Sequence, residues 1–540
     1  MNLSEDSLLK PFRKMVGQPA PGAELGGWYL YDPNYDWHTF AAGFAPAATF
    51  GQWVSALART YSITHDNAIR EKVLRLNQLY AKTIAPDFYR NNRFPAYCYD
   101  KLVCGLIDSH KWAGDPDAFR ILEHTSDTAL PLLPGKAIEH GTSWRPGTDE
   151  SYTWDESYTI SENLFLAYQR GAGERYRKLG EDYLDDAYYG ALSEGRSNLS
   201  GRHAYSHVNS LCSAAQAYLT LGSAKHLAAA KNGFDMVLAQ SYATGGWGPD
   251  ETLRAPGSDD VLGSLTSTHN SFETPCGAYA HFKLTRYLLR ITGQPRYGDS
   301  MERVMYNTIL GAKPLQSDGR TFYYADCNFK AKKVYSDHRW PCCSGTMPQI
   351  AADYGISAYF RGPTAVYVNL YLPSSVRWNQ DGEQISLKQT TSYPFNSQVQ
   401  FDITASRQKE FELKFRIPNW ALGPSFSVNG GRPEKVTPGT FASLRRPWKT
   451  GDRVELDLPL SMRLEPIDAR HPKTVALLSG PVVLFGITDQ QPKLTEQQLL
   501  RAQRTNQQNW KVETGTRTLT LLPFTQIAEE TYTTYFQVES

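Results

Sequence analysis

The sequence predicts a multidomain α-and-β protein: an (α/α)6 toroid, or helical barrel, over residues 1–362, followed by an antiparallel β-sandwich over 363–540. Three observations predict it. At 540 residues the chain exceeds what one hydrophobic core ordinarily supports. Up to about residue 360, apolar positions recur at helical spacing and stop at small or glycine-containing turns. Beyond that point the apolar period falls to two.

The helical elements come in pairs. "ALARTYSITHDNAIREKVLRL", "LIDSHKWAGDPDAFRIL", "LFLAYQRGAGERYRKLGEDYL", "AAQAYLTLGSAKHLAAAKNGF" and "KLTRYLLRITGQPRYGDSMERVMYNTIL" each read as helix, tight turn, helix, with turns near residues 63, 114, 172, 222 and 293. In the third, Leu164, Phe165, Tyr168, Tyr176 and Leu179 keep helical spacing on either side of a Gly-Ala-Gly stop. The turns are wider apart than in tetratricopeptide-like pairs, as expected of hairpins separated by loops. A sixth hairpin is expected around "CCSGTMPQIAADYGISAYF", which completes a toroid with a central cleft.

The strands follow. "FELKFRI" alternates Phe411, Leu413, Phe415 and Ile417 with Glu412, Lys414 and Arg416, and "RVELDLPL" alternates Val454, Leu456 and Leu458 with Glu455 and Asp457. That is the pattern of half-buried antiparallel strands. "AVYVNLYL" and "TVALLSGPVVLFGI" read the same way, with a turn at "VNGGRP".

Charge excludes some partners. Lys plus Arg total 56 against 55 for Asp plus Glu, without strong runs, so no footprint for nucleic acid or an anionic membrane is present. Thirty-two Tyr and 12 Trp supply amphipathic rings that stack on sugar faces, although large cores use such rings too. No apolar run reaches the length of a transmembrane helix, and "MNLSEDSLLKPFRKM" lacks the apolar region of a secretory signal. The chain as it stands reads as cytoplasmic, or as periplasmic or secreted if a signal was removed. Seven cysteines without a paired framework point to free or metal-bound thiols, and Cys98, Cys104, Cys212 and Cys327 read as buried ones. A homodimer is an assembly the sequence allows.

Chemistry gathers at two places. Glu273 and Cys276 stand at the head of a strongly periodic helix in "THNSFETPCGAYAHFKLTRYLL", and "WPCCSG" supplies Cys342 and Cys343. Three thiolates and a carboxylate make a four-coordinate zinc set. The plainer reading is a small buried Cys276, a Glu273 favoured by the helix dipole, and a tight Cys342–Cys343 turn.

At these residues the sequence resembles a family. "TGGWGPDE", "ETPCGAYAHFKLTRYLL", "RYGDSMERVMYNTILGAK" and "WPCCSGTMPQIAADYGISAYF" are similar to the core motifs of glycoside hydrolase families 127 and 146, the β-L-arabinofuranosidase superfamily. The resemblance runs in order over residues 97 to 372, from "YCYDKLVCGLID" onward. It implies a retaining exo-hydrolase of glycosides or oligosaccharides, with a zinc-bound Cys342 as nucleophile, Cys343, Cys276 and Glu273 completing the metal set, and Glu251 as acid/base. Two departures stand out. The family separates its ligand Glu and Cys by one residue, whereas Thr274 and Pro275 both intervene here, so His269 or water is the alternative fourth ligand. Asp100 stands where the family's pattern has a sugar-contacting His, so the sugar can differ from L-arabinofuranose.

Trp154, Asp155 and Glu156 in "SYTWDESYTISENLF" either line the cleft or cap helices. His203 and His207 in "GRHAYSHVNSL" are substrate contacts or structural hydrogen bonders. Two other functional classes stay open: a carboxylate-based inverting glycosidase or uronate lyase pairing Glu251 with Asp155 or Glu156, and a glycan-binding protein with a structural metal.

Overall fold

The computed structural model of the chain describes residues 1–36, 41–139, 155–515 and 517–539. Of the α-helices in its N-terminal part, eleven among the described residues build the ring: α1 (Phe50–Thr64), α2 (Asn67–Ala81), α3 (Pro95–Asp108), α4 (Ala118–Ala129), α5 (Ser161–Gln169), α6 (Glu174–Asp182), α7 (Ala204–Leu221), α8 (Ala224–Leu238), α9 (Thr274–Thr292), α10 (Arg296–Val304) and α11 (Cys342–Ile356). The odd-numbered helices form the inner ring. Each packs on the next, and α11 packs back on α1, which closes an (α/α)6 toroid. Helices α2, α4, α6, α8 and α10 each lie outside the inner helix they follow.

Local chemistry explains the pairing. Asp66 caps α2 by accepting the Ala68 N–H at 2.9 Å, one residue after His65 ends α1 in a left-handed conformation. Gly222 ends α7 at φ +71°, where a side chain would be strained. The ring also needs close helix contact. A Cβ on Gly51 of α1 would meet the Lys101 carbonyl of α3 at 1.9 Å, so only glycine lets these two helices touch. The sixth expected hairpin is a single helix, because α11 ends at Ile356 and the chain enters a strand at Tyr359–Arg361.

A buried polar network ties the inner helices together beneath the cleft. Arg59 of α1 donates to Asp108 of α3 at 2.7 Å and to Asp353 of α11 at 2.5 Å, and Arg286 of α9 reaches Asp353 at 3.0 Å. Lys283 of α9 joins Glu162 of α5 and Asn209 of α7. All six inner helices therefore contribute a polar side chain to the axis.

The C-terminal part is built of sheets. Strands between Tyr359 and Asp457 form a six-stranded and a four-stranded sheet that share one hydrophobic core. Strands from Met462 to Glu539 form a third sheet of nine strands. Among the described strands all pairings are antiparallel except Ala365–Val368 with Lys409–Ile417 and Leu494–Thr495 with the Val538–Glu539 end of the last strand. The third sheet has two buried faces. In Thr474–Ser479, Ala476 and Leu478 pack into the barrel core while Val475 and Leu477 pack into the sandwich core.

Phe411, Leu413, Phe415 and Ile417 face inward as expected, but Arg416, expected on the wet face, is fully buried. Its guanidinium pairs with Asp299 and, at 2.8 Å, with Glu302, both on α10, and so pins the sandwich to the barrel. Among the described residues no helix is long and apolar enough to cross a membrane.

Candidate active site

A cavity of about 280 Å³ opens on the helical ring. Glu156, His203, Glu251, Glu273, Tyr324 and Cys342 give it a polar side. Trp28, Phe44, Phe94 and Trp340 give it an apolar one.

Strand β1 (Phe272–Glu273) pairs antiparallel with β2 (Tyr324–Ala325), which sets Glu273 opposite Tyr324. Helix α9 starts immediately after β1, with Pro275 in the first turn, where its missing N–H costs nothing. Glu273 thus comes from a strand end and Cys276 from a helix start. Cys342 and Cys343 are the first two residues of α11, where the helix dipole favours a thiolate.

These pieces converge. Glu273, Cys276, Cys342 and Cys343 each offer a ligand atom within 4.8 Å of the others, a group that could hold a metal ion. Cys276 Sγ lies 3.5 Å from Cys343 Sγ, and Glu273 Oε1 lies 3.5 Å from Cys342 Sγ and 3.6 Å from Cys343 Sγ. Thr346 Oγ1 is 3.1 Å from Cys276 Sγ. The two residues between Glu273 and Cys276 do not keep the carboxylate away, because the strand-to-helix bend absorbs them.

Burial and neighbouring charge set the titration of this group. Hydrogen bonds from Cys276 and Cys343, with Tyr323 at 3.5 Å, hold the Cys342 thiol well below its ordinary range. Burial pushes Cys276 and Cys343 up, and burial with the charges of Glu251 and Cys342 raises Glu273. Cys342 is also the cysteine of the three that remains partly exposed.

Glu251 stands on a tight turn whose residues Asp250 and Glu251 both adopt positive φ, +53° and +55°. Tyr324 donates to its Oε1, and His203 Nε2 lies 3.2 Å from its Oε2. Burial alone would lower the His203 imidazole, but the hydrogen bond to Glu251 and the charge of Glu156 outweigh it and raise its pKa. Glu156 is itself pushed up to about 7 by burial, with Oε1 3.6 Å from His203 Nδ1.

Four residues weighed as substrate or metal contacts are not among the lining residues. Asp100 is turned into the bundle, where its carboxylate pairs with Lys101 at 2.8 Å and accepts from Asn163 at 2.7 Å. Asp155 accepts the Tyr97 N–H at 3.0 Å and so caps the start of α3. His207 is buried between Tyr158 and Tyr188, with Nε2 3.3 Å from Glu139. His269 is 62% exposed, bonds Asp326 at 2.7 Å and does not line the cavity, and Glu273 is the carboxylate beside the sulfurs. Trp154 lies outside the described residues. Sequence reasoning missed Tyr97, Tyr205, Tyr323 and Tyr324, all of which line the cavity. The consecutive tyrosines of "TFYYADC" were the available signal, and only the β1–β2 pairing gives them a place.

A ring of helices enclosing a small cavity lined by acidic and thiol groups is an enzyme-like site, and comparison with known proteins gives its class. The sequence model of the β-L-arabinofuranosidase GH127 catalytic domain matches residues 1–355, and that of the GH127 middle domain matches 365–460. No curated protein matches in sequence. In structure the chain is similar to Ara127N-Se, a GH127 β-L-arabinofuranosidase from Geobacillus stearothermophilus T6, at 18% identity and a TM-score of 0.72, covering 100% of this chain and 95% of that one. It is similar to the GH127 β-arabinofuranosidase BT3674 at 19% identity and a TM-score of 0.72, covering 99% and 92%. The chain belongs to glycoside hydrolase family GH127.

Proposed function

We propose that this glycoside hydrolase is a retaining, exo-acting enzyme of the β-L-arabinofuranosidase type, with zinc held by Glu273, Cys276, Cys342 and Cys343, Cys342 as nucleophile and Glu251 as acid/base. Residues 1–362 are the catalytic unit in this reading, and 363–540 brace it. The observation that carries it is the meeting of a sulfur–carboxylate cluster and a second carboxylate at one small cavity.

The donor set fits the ion. Tetrahedral zinc with zinc–sulfur bonds of about 2.3 Å spaces two sulfurs about 3.8 Å apart and a sulfur from a carboxylate oxygen about 3.6 Å apart. The distances here are 3.5 Å for Cys276 Sγ–Cys343 Sγ, and 3.5 and 3.6 Å from Glu273 Oε1 to Cys342 Sγ and Cys343 Sγ. Glu273 Oε2 is buried without a hydrogen bond, which suits a ligand carboxylate. Zinc, when bound, keeps a coordinated thiol deprotonated at neutral pH.

The protein groups then act in two displacements. The Cys342 sulfur attacks the anomeric carbon as the glycosidic C–O bond breaks, and the Glu251 carboxyl gives its proton to the departing oxygen. Glu251, now a carboxylate, takes a proton from water, whose oxygen attacks the same carbon and breaks the C–S bond. Two inversions at one carbon restore the starting configuration. The small cavity supports removal of one terminal sugar at a time.

One rival keeps a specific observation in its favour. His203 bridges Glu251 and Glu156, at 3.2 and 3.6 Å, and a carboxylate pair can invert a glycoside without sulfur. Metal content tests the proposal. The purified protein is expected to hold about one zinc per chain, with sulfur in its X-ray absorption shell. Protein without zinc, in which folded Cys342 and Cys343 are both freely alkylated, contradicts it.

A further inference from the structure

Several polar atoms around the cavity have no hydrogen-bond partner among the described residues. Glu156 is 4% exposed and its Oε2 accepts no hydrogen bond; Tyr97 and Tyr205 are 7% and 2% exposed and their hydroxyls make none. All three residues line the cavity. Buried polar groups are nearly always satisfied, so three unsatisfied ones around one small space mark where a ligand supplies the partners. Glu156 is held there at φ +49°, a conformation a glutamate adopts only when its surroundings impose it.

We infer that Glu156, with the hydroxyls of Tyr97 and Tyr205, reads the hydroxyl groups of a neutral sugar and rejects uronic acids; this rests on the reading of the cavity as a glycoside site. Among the described lining residues there are three carboxyl groups, Glu156, Glu251 and Glu273, and the Cys342 thiol, against two imidazoles, His203 and His338. Such a wall is rich in acceptors. It offers partners to sugar hydroxyls, whereas a ring carboxylate would face these carboxyl groups with no guanidinium or ammonium among the described lining residues to meet it. Glu156 is a specificity residue here, since Cys342 and Glu251 already account for both proton and bond transfers. The apolar side formed by Trp28, Phe44 and Trp340 then faces the aglycone or the next ring.

The test compares substrates as well as variants. Wild-type enzyme is assayed on an aryl glycoside, its monodeoxy analogues and the matching aryl uronide, beside Glu156→Gln and Tyr205→Phe. Glu156→Gln is expected to lose about 10- to 100-fold in kcat/KM on the parent glycoside, as when a buried hydrogen-bonding group is left without its partner. It should lose little on the deoxy analogue that lacks the hydroxyl it reads. Tyr205→Phe, which breaks no hydrogen bond within the protein, should keep the wild-type melting temperature and still lose kcat/KM. Wild-type enzyme should prefer the neutral glycoside to the uronide by at least about 100-fold, a comparison that needs no variant. Equal losses for Glu156→Gln on every analogue would make Glu156 part of the chemistry and overturn the inference. Wild-type kinetics in both variants, or ready cleavage of the uronide, would overturn it as well. Absence of turnover on every glycoside overturns the glycosidase reading and this inference with it.

Discussion

Glu251 is positioned by contacts from three separate segments. Tyr324 donates to one oxygen, His203 meets the other, and the Asp250 N–H is bonded to Asn270 O at 2.8 Å, which fixes the turn. Such over-determination is what keeps two consecutive positive-φ residues in place. If Glu251 moves the proton, Glu251→Gln keeps the shape and cannot exchange it. The variant is then expected to lose at least about 100-fold on natural substrates, whereas an aryl glycoside with a good phenol leaving group still undergoes the first step and stalls at the second. A burst of phenol followed by slow turnover is the signature to look for; equal losses on both substrates count against the role. The residues of this site were unequally legible in the sequence. Cys342, Cys343, Cys276 and Glu273 stood out because thiols and a carboxylate in compact motifs suit a metal, and Glu251 because the resemblance to a family fell on it. Tyr323, Tyr324 and Tyr97 did not, since a tyrosine in an aromatic-rich chain has no mark until β1 meets β2. Asp100 misled for the converse reason: motif position put it at the sugar, while Lys101 and Asn163 offered closer partners; His207 took the structural role left open for it, beside Glu139.

Among the elements, α9 does the most. Its start supplies Cys276, its middle supplies Lys283 and Arg286 to the axial network, and its outer side carries His281. The His281 ring is 1% exposed; Nδ1 accepts from Trp247 Nε1 at 3.3 Å, and Nε2 meets Ser300 Oγ at 2.8 Å. Burial lowers its pKa from 6.5 to about 4, so the folded protein holds it neutral. The unfolded chain binds the proton first. Stability from this residue is therefore fully present above pH 6.5 and is lost as pH falls toward about 4, a change of about 3 kcal/mol over that window. Urea unfolding between pH 7 and 4.5 should show the wild type losing stability more steeply than His281→Gln, and parallel curves would contradict it. The hairpins themselves were legible because helical periodicity and turn glycines are local signals. The absent outer partner of α11 was not, because nothing local in "CCSGTMPQIAADYGISAYF" tells a second helix from the strand Tyr359–Arg361 that follows.

At the scale of the whole molecule the chain closes a ring of six inner helices and then braces it with three sheets. The change of apolar period marked the passage from helix to strand well. It could not distinguish a sheet with one wet face from one buried on both faces, nor foresee that Arg416 turns inward to meet α10, because both depend on contacts more than 100 residues apart. Ring and brace together hold the starts of α9 and α11 close enough for Cys276, Cys342, Cys343 and Glu273 to meet. The central claim is that this meeting makes Cys342 a nucleophile. The most direct measurement follows product anomers by NMR in the first minutes of hydrolysis, with mass spectrometry of the peptide spanning residues 342 and 343 from a slowed reaction. The account predicts retained configuration and a sugar adduct on Cys342, both lost in Cys342→Ser; inverted product without an adduct would contradict it.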